Sequence, residues 1–164
     1  MDELFTTYYQ SPVGLLKISG NGSCITGVNF QDDTDHKDAS AELPPLLLEC
    51  MEQFIQYFNG QRKTFDLPLN QPGSSFQQNV WNHLSAIPFG RTISYMQLAI
   101  KNGDPKSTRA VAAANGRNNI AIIIPCHRVI GANRSLTGYM GGIWRKKWLL
   151  DHEAKISYGV QSLF

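Results

Sequence analysis

Four residues, Asn70-Gln71-Pro72-Gly73, do most to limit how this chain folds. Asn, Pro and Gly so close together interrupt helix and strand alike. The apolar pattern also changes character across them. Before the break it reads as strands and turns. Phe5-Thr6-Thr7-Tyr8-Tyr9 leads to the turn signal Ser11-Pro12-Val13-Gly14, Leu15-Leu16-Lys17-Ile18-Ser19 to Gly20-Asn21-Gly22, and a third strand runs from Ile25 to Phe30. Gln31 to Glu42 is polar and acidic, which predicts an exposed loop. Pro44-Pro45 opens a helix with Leu47, Met51, Phe54 and Phe58 at helical spacing, closed by Gly60. A further strand is expected over Thr64–Leu69.

After the break the period is helical. Ser74-x-x-Gln77 is a capping box before Phe76, Val80, Trp81 and Leu84, and Ser94-x-x-Gln97 is a second one. Asn102-Gly103 ends that short helix, and Asp104-Pro105 starts another that runs through Arg109 and Ala110 to Ala114. Residues 94–115 therefore form a helix-turn-helix candidate. A final helix is expected to turn Trp144, Trp148 and Leu149 inward and to end near Asp151-His152-Glu153. The fold class is α/β (α+β). A small antiparallel sheet with a helix spans 1–70, and a mostly helical domain with the helix-turn-helix spans 74–164.

The chemistry concentrates in Ile122-Ile123-Ile124-Pro125-Cys126-His127-Arg128-Val129. The three isoleucines read as a short buried strand that Pro125 ends. A thiol beside an imidazole and a cation is a candidate nucleophile, because such neighbours favour the thiolate. A buried structural cysteine at a strand end fits the same residues. Cys24, Cys50 and Cys126 are scattered, with no CxxC pair, and the histidines lack zinc-ligand spacing, so neither a disulfide framework nor a metal site is expected. No cofactor is called for. The start, Met1-Asp2-Glu3, lacks signal-peptide features and no apolar run has membrane-spanning length, which predicts a cytoplasmic protein without a membrane partner.

Charge separates the halves as well. Residues 1–90 hold four basic and ten acidic residues, a balance of −6, and residues 91–164 hold eleven basic and three acidic ones, a balance of +8. A basic half points to a polyanion, nucleic acid first. Lys106, Ser107 and Thr108 stand at or near the start of the second helix of the pair, where they can contact phosphates. The small Ala110 lets a backbone come close.

Pro125-Cys126-His127-Arg128-Val129 resembles the active-site signature of the O6-alkylguanine-DNA alkyltransferases. The resemblance continues through Pro88-Phe89-Gly90, Ile93-Ser94-Tyr95, Gln97-Leu98-Ala99, Arg109-Ala110-Val111 with Asn115 and Asn118, Gly138-Tyr139-Met140-Gly141-Gly142, and Trp148-Leu149-Leu150 with His152-Glu153. It covers about residues 74–154. The first 70 residues match in layout, a ribonuclease H-like sheet and helix.

The resemblance implies a repair reaction on double-stranded DNA. The recognition helix enters the minor groove, Arg109 fills the gap left by a flipped nucleotide, and Tyr95 crowds the phosphate and donates a proton to the base. Cys126 takes the alkyl group of O6-alkylguanine, secondarily of O4-alkylthymine. His127 accepts the thiol proton through water, Glu153 orients His127, and Asn118 braces the turn. Val129, Tyr139 and Met140 line the substrate pocket. The thioether product has no good leaving group, so one molecule repairs one lesion.

The chain departs from the family at Asn119, where proline is usual, and at Met140, often smaller or polar. Some relatives bind zinc in the first domain, and Cys24 is the one suggestive residue here. A monomer is expected, associated with the nucleoid in a bacterium. Gln161-Ser162-Leu163-Phe164 faintly resembles a sliding-clamp binding peptide one spacer residue short, against the simpler reading of a frayed tail. Two rival readings are a DNA-binding module without catalysis and a Cys-His-Glu hydrolase.

Overall fold

The computed structural model describes residues 3–32, 40 and 42–159. Met1 and Asp2, most of the expected acidic loop and the clamp-like peptide at 161–164 lie outside the described residues. The chain forms two compact units, Met1–Gln71 with Asn119–Ala121, and Pro72–Asn118 with Ile122–Phe164.

In the first unit β1 (Phe5–Ser11), β2 (Gly14–Gly20) and β3 (Ile25–Gln31) form an antiparallel sheet in that order. Alternation sends Leu16 and Ile18 of β2 to the core, and Lys17 between them to the other face. α1 (Pro45–Phe58) begins with a proline, whose missing N–H would have no helical partner there anyway. Its fully buried stripe is Leu47, Cys50, Phe54 and Tyr57, whereas Met51 and Phe58 of the expected spacing are half-buried beside it. Phe54 stacks on Tyr9 at 6.5 Å between centroids and meets Phe65 at 5.1 Å.

The strand expected over Thr64–Leu69 does not form. The Gln53 side chain of α1 accepts from the Asp66 N–H (2.9 Å) and donates to the Asp66 carbonyl (3.0 Å), which satisfies that backbone without a ladder. Within that stretch only Leu69 bridges to the sheet, in parallel with Ile25. The free edge of β3 is covered instead by residues distant in sequence: Val28 N–H donates to Asn119 O (2.9 Å) and Ala121 N–H donates to Val28 O (3.1 Å).

The second unit carries α2 (Ser75–Ser85), β4 (Ile93–Ser94), α3 (Tyr95–Lys101), α4 (Thr108–Gly116), β5 (Val129–Ile130) and α5 (Ile143–Tyr158). Both capping boxes form, with Gln77 N–H on Ser74 Oγ (3.1 Å) and Gln97 N–H on Ser94 Oγ (3.0 Å). Each stabilises its helix by about 1 kcal/mol. Between α3 and α4, Gly103 at φ +105 makes the turn, and Asp104 accepts from Lys106 N–H (2.9 Å) over a single 3-10 turn at Pro105–Ser107. Leu98, Ala99 and Val111 are buried between the pair, and Trp81 Nε1 donates to Ala114 O (2.9 Å) to tie α2 to α4.

Two expectations for this unit are corrected. Phe76 stands at the exposed edge of α2 rather than on its buried face. α5 runs on to Tyr158, where Gly159 in the left-handed region ends it. Its buried face holds Arg145, Lys146, Leu149, Leu150, Glu153 and Ala154, whereas Trp144 is exposed and Trp148 half-buried. One short parallel pairing sets up the site: Ile93 pairs with Val129 and Ser94 with Ile130. It fixes the residue before Tyr95 beside the residues that follow Cys126-His127-Arg128.

Candidate active site

The isoleucines before Cys126 do not form the expected strand. Residues 121–124 turn, and Ile122 lies at φ 72, a strained conformation for a β-branched residue. The cause is a closed loop. Asn118 Nδ2 donates to Ile124 O at 2.8 Å, so the chain must return six residues later to where it started. Burial of Ile122 and Ile124 persists without strand geometry. Cys126 N–H donates to Ile124 O (2.8 Å), and a 3-10 turn over Cys126–Arg128 follows. The same Asn118 amide reaches Cys126 Sγ at 3.3 Å.

His127 and Glu153 meet across 26 residues of sequence. His127 Nε2 lies 2.8 Å from Glu153 Oε2, both side chains being almost wholly buried. Arg128 holds the same carboxylate with Nε at 2.8 Å from Oε1 and Nη2 at 3.0 Å from Oε2, while its Nη1 donates to Ile87 O (2.7 Å). Gly90 N–H adds a contact to Oε1 at 3.3 Å. Burial alone would raise the Glu153 pKa, but His127 and Arg128 outweigh it and hold the carboxyl well below the usual range. Burial lowers the His127 imidazole below its ordinary value, with Glu153 pulling the other way. A neutral imidazole that donates from Nε2 to the carboxylate leaves Nδ1 as the proton acceptor. Nδ1 is buried and has no hydrogen-bond partner among the described residues.

The resting thiol differs from the sequence expectation. Burial pushes Cys126 up to about 11, and Asn118 and Lys146 lower it by less. Arg128, which the sequence sets beside the thiol, turns its guanidinium to Glu153 instead. At neutral pH the group is therefore a thiol next to a base, not a standing thiolate.

Cys126 opens into a cavity of about 480 Å³ whose lining includes Tyr95, Thr108, Arg109, Asn115, Tyr139 and Met140. Tyr95 Oη donates to Thr137 O (3.1 Å), and Lys146 Nζ donates to the same carbonyl (3.0 Å). Burial raises the Tyr95 hydroxyl, and raises Tyr139 further. Burial brings Lys146 down to about 8, partly opposed by Cys126. Arg145 Nη1 donates to Gly141 O (3.0 Å) behind the same loop.

The sequence-nominated residues thus divide into groups. Tyr95, Thr108, Arg109, Cys126, Tyr139 and Met140 share the cavity. His127, Glu153 and Asn118 back the thiol. Val129 is fully buried in β5 and does not line the cavity. Exposed Ala110 borders a separate groove with Phe76, Ala113 and Arg117, and Lys106 and Ser107 stay in the turn before α4. Sequence reasoning missed Arg128 as the partner of Glu153, Lys146 behind the wall, and Asn115 and Thr137 in the lining. Lys146, Leu149, Leu150 and Glu153 fall at i, i+3, i+4 and i+7, a signal that could have shown Lys146 on the buried face.

Two family models match this chain. Residues 4–71 match the 6-O-methylguanine DNA methyltransferase, ribonuclease-like domain, and residues 75–155 match the 6-O-methylguanine DNA methyltransferase, DNA binding domain. The chain belongs to the 6-O-methylguanine DNA methyltransferase family. It is 48% identical to the constitutive methylated-DNA–protein-cysteine methyltransferase of Bacillus subtilis over 165 residues, covering 94% of this chain and 97% of that one. It is 43% identical to the corresponding protein of Mycolicibacterium paratuberculosis, covering 94% of each. Among solved structures it is similar to the O6-methylguanine methyltransferase of Mycobacterium tuberculosis (40% identity, TM-score 0.84, 93% of this chain and 94% of that one). It is also similar to Mycobacterium tuberculosis OGT in complex with DNA (43% identity, TM-score 0.82, 91% and 92% covered). The α3–α4 pair and the residues that line the Cys126 cavity all fall within the span matched by the DNA binding domain.

Proposed function

We propose that this protein repairs double-stranded DNA by moving the alkyl group of O6-alkylguanine to Cys126, once per molecule. The observation that carries this reading is the buried Cys126 thiol at an open cavity, backed by the His127–Glu153 pair. The α3–α4 pair serves as the helix-turn-helix, with Arg109 taking the place of the extruded base. Extrusion costs a few kcal/mol, and least for a poorly paired base.

In the reaction His127 Nδ1 takes the thiol proton. The Sγ–carbon bond forms as the carbon–O6 bond breaks, and the bonding pair leaves with the guanine. Tyr95 returns a proton to the base. Because the resting thiol is protonated, transfer needs the base at the moment of attack, and Glu153 stabilises the imidazolium that results. Lys146 adds a positive charge near the developing thiolate. Asn118 braces the turn and donates to the sulfur. The product thioether offers no path back to thiol. O4-alkylthymine is the secondary substrate. In this reading the protein acts as a monomer, inside the cell where the chromosomal lesion lies.

The test uses a duplex with a labelled methyl group on O6-methylguanine. One equivalent of label on Cys126, with none released, is the expected result, and Cys126→Ser takes up none. Binding without transfer would overturn the reading in favour of a DNA-binding module. Repeated release of label would favour a hydrolase.

A further inference from the structure

One wall of the Cys126 cavity comes from α4, through Thr108, Arg109, Ala112, Asn115 and Gly116. Steps of three and four residues put Thr108, Ala112 and Asn115 on one face of the helix. Ala112 and Gly116 carry no polar side chain. Thr108 already donates its hydroxyl to Pro105 O (2.9 Å), and Arg109 is exposed. Asn115 differs from all of them. It is only 5% exposed, and its Oδ1 is buried with no hydrogen-bond partner among the described residues.

A buried amide oxygen without a donor is costly, and folded proteins seldom leave one. Asn118, three residues on, shows the ordinary case, with its amide bonded to Ile124 O (2.8 Å) and to Cys126 Sγ (3.3 Å). Asn115 makes no such internal bond through Oδ1. A donor that satisfies it has to come from outside the chain, and the cavity it lines is where the substrate enters.

We infer, on the DNA-repair reading above, that Asn115 is a specificity residue whose Oδ1 accepts a hydrogen bond from the exocyclic amine of the extruded O6-alkylguanine. Alkylation at O6 leaves the ring nitrogens of guanine as acceptors, so this amine is the one N–H donor that the base keeps. Alkylation at O4 leaves thymine with no N–H at all. Both lesions offer Cys126 an alkyl carbon, but only guanine satisfies Asn115. A thymine in the cavity leaves Oδ1 buried and unpaired, and a site of this kind disfavours the substrate that lacks the matching group. The torsion of an asparagine amide about Cβ–Cγ is broad, so Oδ1 can follow the base that arrives. Guanine is thereby the first substrate and thymine the second.

The experiment measures single-turnover transfer of a labelled methyl group to full-length wild type, Asn115→Leu and Asn115→Ala. Three duplexes supply the label. They carry O6-methylguanine, O4-methylthymine, or O6-methylhypoxanthine, which is the guanine lesion without its amine. Wild type should react about tenfold faster with O6-methylguanine than with O6-methylhypoxanthine, as expected for one hydrogen bond to a buried acceptor. In both variants that ratio should fall to within about twofold of unity, and the preference for O6-methylguanine over O4-methylthymine should shrink by a similar factor. Each ratio is read within one protein, so a loss of folded molecules cancels. Asn115→Leu should also keep its Tm, because it replaces an unpaired buried oxygen with an apolar group. A variant that keeps the wild-type ratios, whatever its absolute rate, overturns the inference and makes Asn115 a packing residue. A wild type that reacts equally with and without the amine overturns it too. A wild type that binds DNA but transfers no label defeats the DNA-repair reading instead, which keeps the two failures distinct.

Discussion

The two units bury different kinds of polar group. In the sheet unit the buried polar side chains among the described residues are Thr7, Ser11, Gln53 and Gln71, none of them charged. In the Cys126 unit they are Asn115, Asn118, His127, Arg128, Arg145, Lys146 and Glu153. Removing a charge from water costs several kcal/mol unless it is paired and hydrogen-bonded. The first unit is built as a sheet unit ordinarily is, with an apolar interior. The second accepts a charged interior and compensates with ion pairs and carbonyl contacts. Stability alone does not call for that arrangement; alkyl transfer to a buried thiol does.

The largest expected effect is at Glu153. Glu153→Gln leaves Arg128 buried without its counter-charge and should destabilise by about 3–5 kcal/mol. Transfer should slow by about 10²-fold or more, since His127 loses the group that charges and orients it. Thr7→Val in the sheet unit, where the hydroxyl donates to Met51 Sδ at 3.6 Å, should stay within about 1 kcal/mol. Equal losses in chemical denaturation of the two variants would erase the contrast. The pH dependence carries a sign. A carboxyl held below its ordinary pKa contributes stability that is fully present above the unfolded value, about 4.3 for Glu. That contribution is lost as pH falls below this value through the folded one. The stability gap between wild type and Glu153→Gln should therefore be constant near neutrality and close only in acid.

Next in size is the thiol. With Cys126 raised to about 11, its reaction with iodoacetamide in the absence of DNA should keep climbing with pH beyond about 9. Cys50, raised to about 12 by burial and then Glu49, should be as sluggish. The contrast appears only with the alkylated duplex, where Cys126 reacts and Cys50 does not. A Cys126 rate that levels off near neutral pH would show a standing thiolate and remove the need for His127.

Lys146 gives a smaller and opposite signal. Its pKa lies below the ordinary lysine value, so the unfolded chain binds the extra proton between about 8 and the ordinary range. Stability from this group should rise with pH across that window and be flat in Lys146→Met. Thermal melts in a Cys126→Ser background check it, because the thiol titrates in the other direction. The smallest expected effect is local: Ser74→Ala removes one capping box and should cost about 1 kcal/mol without altering transfer.

What was legible in the sequence was what neighbours in sequence decide. The capping boxes at Ser74 and Ser94 form as the spacing predicts, because their hydrogen bonds span three residues. The turn at Asn102-Gly103 and the stripe of α1 also depend on nearby residues. The readings that needed correction depend on side-chain contacts to the backbone that periodicity does not encode. Thr64–Leu69 gives up its strand to a side chain of α1, and Ile122–Ile124 to the Asn118 amide. On α5 two tryptophans mask the spacing of Lys146 with Glu153, so the helix face is legible only once its packing is known. Residues 119–121, which cover β3, carry no local sign of that role.

By itself the sequence determined the break at Asn70–Gly73, the capped helices that follow it, and a cysteine followed by a histidine in one short stretch. Periodicity, caps and chain breaks are local, and they act before any tertiary contact exists. Only the tertiary structure decided that Glu153 reaches His127 across 26 residues and that Arg128 faces that carboxylate rather than the thiol. It also decided that Cys126 rests protonated. Desolvation and charge pairing depend on everything packed around a group, and no run of adjacent residues contains that information.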